Sequence, residues 1–130
     1  MQFLSAEPQL FVADMARSLA FYCEKLGSEL ALSYGDPLFY AQVARGRAAL
    51  NLRLVTGPVF DASFRAREAD PLAATITLDE VDALFAAYRA AHVHFHQQLR
   101  SELWGARTFI VGDPDGNLIL FAGTAEPDQA

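Results

Sequence analysis

Three histidines occupy alternate positions in one short stretch, AHVHFHQQ, as His92, His94 and His96. Alternate side chains of a β-strand point to the same face, about 7 Å apart along the strand. On a strand, these imidazoles would form a metal site, a row of acid–base groups along a groove, or a solvated face with Val93 and Phe95 turned to the core. A metal site would need a ligand from another segment, because histidines at this spacing rarely close around one ion. We therefore treat His94 and His96 as candidate groove residues.

Polar side chains also interrupt two apolar stretches at alternate positions. Glu7, Gln9 and Phe11 would share one face of a strand near the start of the chain, and Asn51 and Arg53 alternate with leucines in LNLRL. A polar residue in an apolar alternation points into a cavity or into solvent. Glu7 would attract a cationic group of a ligand, whereas Arg53 would attract an anionic one.

Aromatic side chains complete the candidate binding groove. Trp104 is the only tryptophan and stands beside Gly105 in a polar stretch. Its indole would form either a wall for a planar or cationic ligand or a loop anchor packed on the core. Phenylalanines in strand patterns are mostly core residues, with some at a groove rim. The candidate set comprises Glu7, Gln9, Phe11, Phe39, Asn51, Arg53, His94, His96, Trp104 and Phe109.

Other chemically suggestive residues favour structural roles. Asp113, Asp115 and Asn117 lie in DPDGN, where such side chains satisfy backbone groups of a tight turn. Cys23 has no histidine or other base near it in sequence and is expected to pack as an inert residue. The sequence contains no glycine-rich phosphate loop, nucleophile elbow or zinc-type Cys/His spacing.

Two strand–turn–helix units position these residues, and they recur along the chain at a constant distance. The strand patterns are Gln9–Val12 and Thr75–Leu78, followed by the capping residues Asp14 and Asp79. A helical stripe follows each cap, and Gly27 is placed to end the first helix. The matching positions are each 66 residues apart: Leu10/Ile76, Val12/Leu78, Met15/Val81, Leu19/Phe85 and Tyr22/Tyr88.

Three strand patterns follow each helix, so each half reads βαβββ. They are Glu29–Tyr34, Leu38–Ala44 and Ala49–Val55 in the first half, and Val93–Gln97, Thr108–Val111 and Leu118–Phe121 in the second. This predicts one α+β domain over residues 1–130, with repeat one at 6–56, a connector at 57–72 and repeat two at 73–123. We expect the polar tail after Gly123 to fray.

Composition excludes several classes of partner. The 130 residues are 52% hydrophobic, which is enough for a core, and 16 acidic residues against 10 basic ones give a net charge of −6. That balance disfavours nucleic acid and anionic membranes as partners. The sequence shows no signal peptide and no apolar run long enough for a membrane span. With Cys23 as the single cysteine, a reducing, cytoplasmic setting is expected.

The segments PQLFVADMARSLAFYCEKLG and WGARTFIVGDPDGNLILFAG resemble the vicinal oxygen chelate superfamily of glyoxalases, extradiol dioxygenases, and fosfomycin- and bleomycin-resistance proteins. The resemblance covers Pro8 to Gly123, and the second segment is most similar to the bleomycin-resistance branch. It implies two curved mixed sheets with helices outside. It also implies a homodimer, often with the N-terminal strand exchanged near Pro8, and ligand grooves at the dimer interface.

Enzymes of that superfamily hold a divalent metal with His, Gln or Glu on four strands. The resemblance places these positions at Glu7, Ala73, Leu120, and Asn51 or Arg53. Alanine and leucine have no ligand atom, arginine carries the wrong charge, and one carboxylate does not hold a catalytic metal against water. The resemblance therefore implies a protein without metal, cofactor or catalysis that sequesters a small organic molecule. The alternatives are a metal-dependent lyase, isomerase or dioxygenase, and a non-catalytic member with another role.

Overall fold

The computed structural model describes residues 1–124, which fall into two units. The first unit is Met1–Val59, and the second begins at Phe60. The last strand ends at Thr124, three residues beyond the predicted strand end at Phe121 and one beyond the predicted end of repeat two. The rest of the polar tail, whose fraying the sequence predicts, lies outside the described residues.

The first unit is a four-stranded mixed sheet with one helix. Its strand order is β1-β4-β3-β2, with β1 parallel to β4 and the other pairs antiparallel. The helix α1 continues directly into a π-helical segment. The bounds are β1 Gln9–Val12, α1 Met15–Leu19, the π-helical segment Ala20–Lys25, β2 Glu29–Gly35, β3 Leu38–Arg45 and β4 Ala48–Leu54.

The second unit repeats this topology with the strand order β5-β8-β7-β6, again with its first and last strands parallel. The predicted βαβββ repeat and the α+β class are thereby confirmed. A short helix, α2, occupies part of the predicted connector. The bounds are α2 Ala62–Arg67, β5 Leu72–Thr77, α3 Val81–Ala90, β6 Phe95–Ser101, β7 Ala106–Gly112 and β8 Leu118–Thr124.

The predicted helix signals hold in the first unit and shift by one residue in the second. The Asp14 carboxylate accepts a hydrogen bond from the Arg17 amide at 3.1 Å, as an N-cap does. Gly27 follows the helix at φ +78°, a conformation that favours glycine. Asp79, the predicted cap of α3, is not the N-cap. That position falls to Glu80, whose side chain makes no capping hydrogen bond.

Each core lies between a sheet and its own helix. In the first unit, Leu10 and Val12 of β1 and Val43 of β3 are almost fully buried, while the residues between them face away. In the second unit, an aromatic cluster under α3 fills the same place. This alternation leaves the opposite face of the first sheet available for other contacts.

Phe109 belongs to that aromatic cluster, so its assignment to a ligand groove is wrong. Its side chain is 0% exposed. Its ring centroid lies 5.0 Å from that of Phe121, 5.5 Å from Phe85, 5.7 Å from Phe95 and 6.1 Å from Tyr88. The ring is enclosed because its face of β7 packs under the helix, and it therefore stabilises the fold rather than contacting a ligand.

Candidate functional site

The face of the first sheet opposite α1, called the open face below, gathers five of the ten predicted site residues. Strand register arranges them in two rows across the sheet. The first row is Gln9, Asn51, Gln42 and Leu32, and the second is Phe11, Arg53, Tyr40 and Tyr34. Neighbours in a row are close enough for their side chains to interact. The sheet therefore brings Gln9, Phe11, Asn51 and Arg53 together, as the sequence predicts.

Glu7 joins the first row through a network of hydrogen bonds. Its Oε1 accepts from Gln42 Nε2 at 3.0 Å and from Asn51 Nδ2 at 3.5 Å. Its Oε2 accepts from Ser5 Oγ at 2.9 Å. Gln42 Nε2 also donates to Asn51 Oδ1 at 2.9 Å. The carboxylate is thus fixed in orientation at the start of β1 while it stays exposed to solvent.

The second row combines an arginine with aromatic rings. Arg53 is exposed and, among residues 1–124, its guanidinium makes no hydrogen bond or ion pair. Phe11 and Tyr40 flank it in register on the two neighbouring strands. Phe11 is 41% exposed and Tyr34 65% exposed, which is unusual for large aromatic side chains in a sheet. Glu7 and the two rows thus offer one negative group, one positive group and an aromatic surface.

Gln42, Tyr40, Tyr34 and Leu32 are the site residues that the sequence prediction missed. Two of them could have been predicted from the hairpin through Arg45 and Gly46, because it pairs Gln42 with Asn51 and Tyr40 with Arg53. Phe39, which was predicted instead, lies outside both rows. It stands at a β-bulge between β2 and β3 and has no partner in the register.

Trp104 lies at the tip of the β6–β7 hairpin in the second unit. Its side chain is 76% exposed, so it is not packed as a loop anchor among residues 1–124. Gly105 follows at φ +95°, and its amide donates to the Glu102 carbonyl at 3.0 Å, which closes the turn. Glu102 lies at the base of the hairpin and accepts from Arg100 Nε at 2.9 Å and from Thr108 Oγ1 at 2.8 Å.

These hydrogen bonds also affect the protonation of Glu102. Bonds from Arg100 and then Thr108 hold the pKa of its carboxyl below the usual value. The side chain is only 13% exposed. The hairpin therefore exposes Trp104 at its tip, while hydrogen bonds of the Glu102 carboxylate with Arg100 and Thr108 stabilise its base.

The three histidines do not form one row. His92 has φ +60° in the turn after α3, and β6 begins only at Phe95, so neither His92 nor His94 is a strand residue. His96 is on β6, where its Nε2 lies 2.7 Å from Asp70 Oδ1. The alternation of the sequence was misleading because the first part of the stretch ends a helix.

The positions expected to hold a metal in the superfamily's enzymes do not provide a donor set. Glu7 supplies a carboxylate that amide and hydroxyl groups already bond, and Ala73 and Leu120 supply no ligand atom. Within residues 1–124, no group of three or more His, Cys, Asp or Glu side chains is placed to bind a metal ion. The side chains present therefore do not fit such a metal. The same residues include no helix that is long and apolar enough to cross a membrane.

Comparison with known proteins agrees with this architecture. The model of the Glyoxalase/Bleomycin resistance protein/Dioxygenase superfamily matches residues 5–121. A bleomycin resistance protein from Geobacillus stearothermophilus is 27% identical over 132 residues, which cover 91% of this chain and 95% of that protein.

Solved structures show the same fold. The bleomycin-binding protein of the bleomycin producer Streptomyces verticillus, in complex with copper(II)-bleomycin, is 25% identical with a TM-score of 0.71 and covers 97% of this chain and 99% of that one. A superfamily member from Alicyclobacillus acidocaldarius is 20% identical with a TM-score of 0.76, covering 95% and 92%. With the family model matching nearly the whole chain, this protein belongs to the glyoxalase/bleomycin resistance protein/dioxygenase superfamily.

Proposed function

We propose that this protein binds a small organic molecule of the bleomycin type and sequesters it unchanged, without a metal or cofactor, in a groove at the interface of a cytoplasmic homodimer. The observation that carries the proposal is the open face, which presents a fixed polar cluster, an arginine and aromatic rings. Binding sites for organic ligands combine such aromatic surface with a few placed polar groups. The bleomycin-resistance and bleomycin-binding relatives support this choice of ligand.

The mechanism is binding alone. Glu7, Gln9, Asn51 and Arg53 supply polar contacts from the open face of the first unit. Trp104 supplies an aromatic surface for stacking, worth about 0.5–1.5 kcal/mol beyond the area it buries. No bond of the ligand is broken, so protection depends on affinity and on the concentration of the protein.

Exposed apolar side chains support the dimer. Phe3 and Leu4 precede β1 and are 91% and 92% exposed, and Tyr34 is 65% exposed on the open face. Large apolar side chains exposed to this extent are candidate contacts with another molecule. A second copy of the chain would remove such side chains from water and enclose the groove.

Titration with metal-free bleomycin tests the proposal. Because Trp104 is the only tryptophan, its fluorescence reports on one place. We expect saturable quenching at one ligand per chain, and calorimetry should show binding weakened about two- to tenfold in Trp104→Ala, as loss of one stacked ring predicts. Leu103→Ala, at the neighbouring exposed position, is the matched control and should bind like the wild type.

Two results would contradict the proposal. Absence of both heat and quenching at millimolar bleomycin would exclude this ligand type. Recovery of chemically altered bleomycin after incubation would exclude pure sequestration. Light scattering on the same samples tests the dimer, and a monomeric mass at micromolar concentration would exclude a groove between two copies.

A further inference from the structure

We infer that the open face selects a ligand that carries both a positive and a negative group. An ammonium would bind at the Glu7 cluster, a carboxylate would bind at Arg53, and a flat apolar spacer would lie between them. The inference deepens the proposed function, since it assigns a charge pattern to the small molecule bound on this face. It rests on three observations within residues 1–124: the free acceptors around Glu7, an Arg53 guanidinium without a partner, and the spacing between the two groups.

The Glu7 cluster is rich in acceptors. The carboxylate accepts three hydrogen bonds, from Gln42, Asn51 and Ser5, and has about four acceptor positions in all, so capacity remains. Both protons of Gln42 Nε2 are used, toward Glu7 and toward Asn51, and the carbonyl oxygen of this amide accepts none among residues 1–124. An ammonium has three donors and no acceptor, and therefore matches this cluster.

Arg53 offers the opposite chemistry. Its guanidinium makes no ion pair or hydrogen bond to any described residue, and the side chain is exposed. A guanidinium binds a carboxylate through two parallel hydrogen bonds. Phe11 and Tyr40 flank Arg53 in register, so an anion held there would have an aromatic surface on either side.

The distance between the Glu7 cluster and Arg53 indicates whether the ligand carries one charged group or two. Asn51, which contacts Glu7, and Arg53 are alternate residues of β4, so their Cα atoms are about 7 Å apart. The hydrogen bonds of Glu7 go to Ser5, Gln42 and Asn51 rather than to Arg53, so the two charges do not neutralise each other directly. A ligand with one charge would cover the other protein charge without pairing it, which is unfavourable. A zwitterion with a short rigid spacer pairs both.

The test uses three small probes of nearly the same shape: para-aminomethylbenzoate, which is a zwitterion, para-methylbenzylamine, which has only the cation, and para-toluate, which has only the anion. Each is titrated into the full chain, and amide shifts are followed by NMR. Exposed charge contacts contribute about two- to fivefold each in affinity. We therefore expect the zwitterion to bind at least about twofold more tightly than either single-charge probe, with shifts on β1, β3 and β4.

Variants identify the groups responsible. Glu7→Gln should abolish the preference for the zwitterion over para-toluate, and Arg53→Gln should abolish its preference over para-methylbenzylamine. Glu24→Gln, on the π-helical segment, and Arg47→Gln, in the β3–β4 turn, make the same charge changes at exposed positions outside the two rows and should keep both preferences. The amide spectra of the free variants show directly whether each one is folded.

Three results would each overturn the inference. The first is equal binding of the three probes, and the second is a preference that survives Glu7→Gln and Arg53→Gln. The third is the absence of shifts on the open face, which would follow if a second copy covered it. Titration of the wild type with bleomycin separates this inference from the proposed function. A protein that binds bleomycin without preferring the zwitterion refutes the charge pattern alone. A protein that prefers the zwitterion but does not bind bleomycin supports the charge pattern and refutes the ligand type alone.

Discussion

Replacing Phe109 and Phe11 by leucine, one at a time, tests whether these two rings have the different roles that the structure assigns to them. Phe109 is 0% exposed among four aromatic rings, whereas Phe11 is 41% exposed on the open face. The chemical change is the same at both positions. A difference in outcome therefore reports the environment of each ring rather than the substitution.

The magnitude follows from the packing. Truncation of a buried phenylalanine to alanine costs about 3–5 kcal/mol, and leucine keeps part of the apolar volume. Aromatic pairs contribute about 0.5–1.5 kcal/mol each beyond burial. We therefore expect Phe109→Leu to lower the free energy of unfolding by about 2 kcal/mol. Phe11→Leu should change it by less than about 0.5 kcal/mol, as is usual for exposed positions.

Urea unfolding followed by circular dichroism measures the stability, because the exposed Trp104 is a poor reporter of unfolding. Bleomycin titration of both folded variants measures the second role, and only Phe11→Leu should weaken binding. The reasoning is refuted if Phe109→Leu is as stable as Phe11→Leu. It is also refuted if Phe109→Leu lowers the affinity while Phe11→Leu does not.

Three further predictions concern the turn, the hairpin and metal removal. Asp113→Ala should cost about 2–3 kcal/mol of unfolding free energy in urea titration, because the buried carboxylate accepts from the amides of Asp115 and Asn117. The pKa of Glu102 is lowered in the folded state, so its stabilisation is present above the ordinary carboxyl pKa and is lost as the pH falls through the folded value. The protection factor of the Gly105 amide, which corrects for the intrinsic slowing of exchange in acid, should therefore fall on acidification, with Gly46 in the β3–β4 turn as the control, and Glu102→Gln should remove that dependence. Exhaustive chelation should leave bleomycin affinity within twofold, as measured by calorimetry, and a larger loss would contradict binding without a metal.

The repeated topology was predictable because its signals are local and strong. Apolar alternation in the strands, a helical stripe after each cap and a constant 66-residue offset all indicated the same βαβββ unit. The structure places both sheets in the order that such a repeat requires. Boundaries shifted where a capping side chain was absent, as at Glu80.

The site was only partly predictable, because the face to which a side chain points depends on strand register, and because a strand can be buried on both of its faces. Gln9 and Asn51 could be assigned to the open face from alternation alone, but Gln42 required the hairpin pairing to be counted. Thr108 to Val111 are buried on both faces of β7, so periodicity could not separate Phe109 from a groove residue. His94 was predicted on a strand beginning at Val93, but β6 begins only at Phe95, because the turn after α3 includes His92 at φ +60°.

An NMR map of amide shifts during titration with metal-free bleomycin tests the central claim most directly. We expect saturable shifts that cluster on β1, β3 and β4 of the open face and at the Trp104 hairpin, with unchanged bleomycin recovered at the end. Shifts confined to the α1 side of the first sheet, or no shifts at saturating ligand, would contradict the claim.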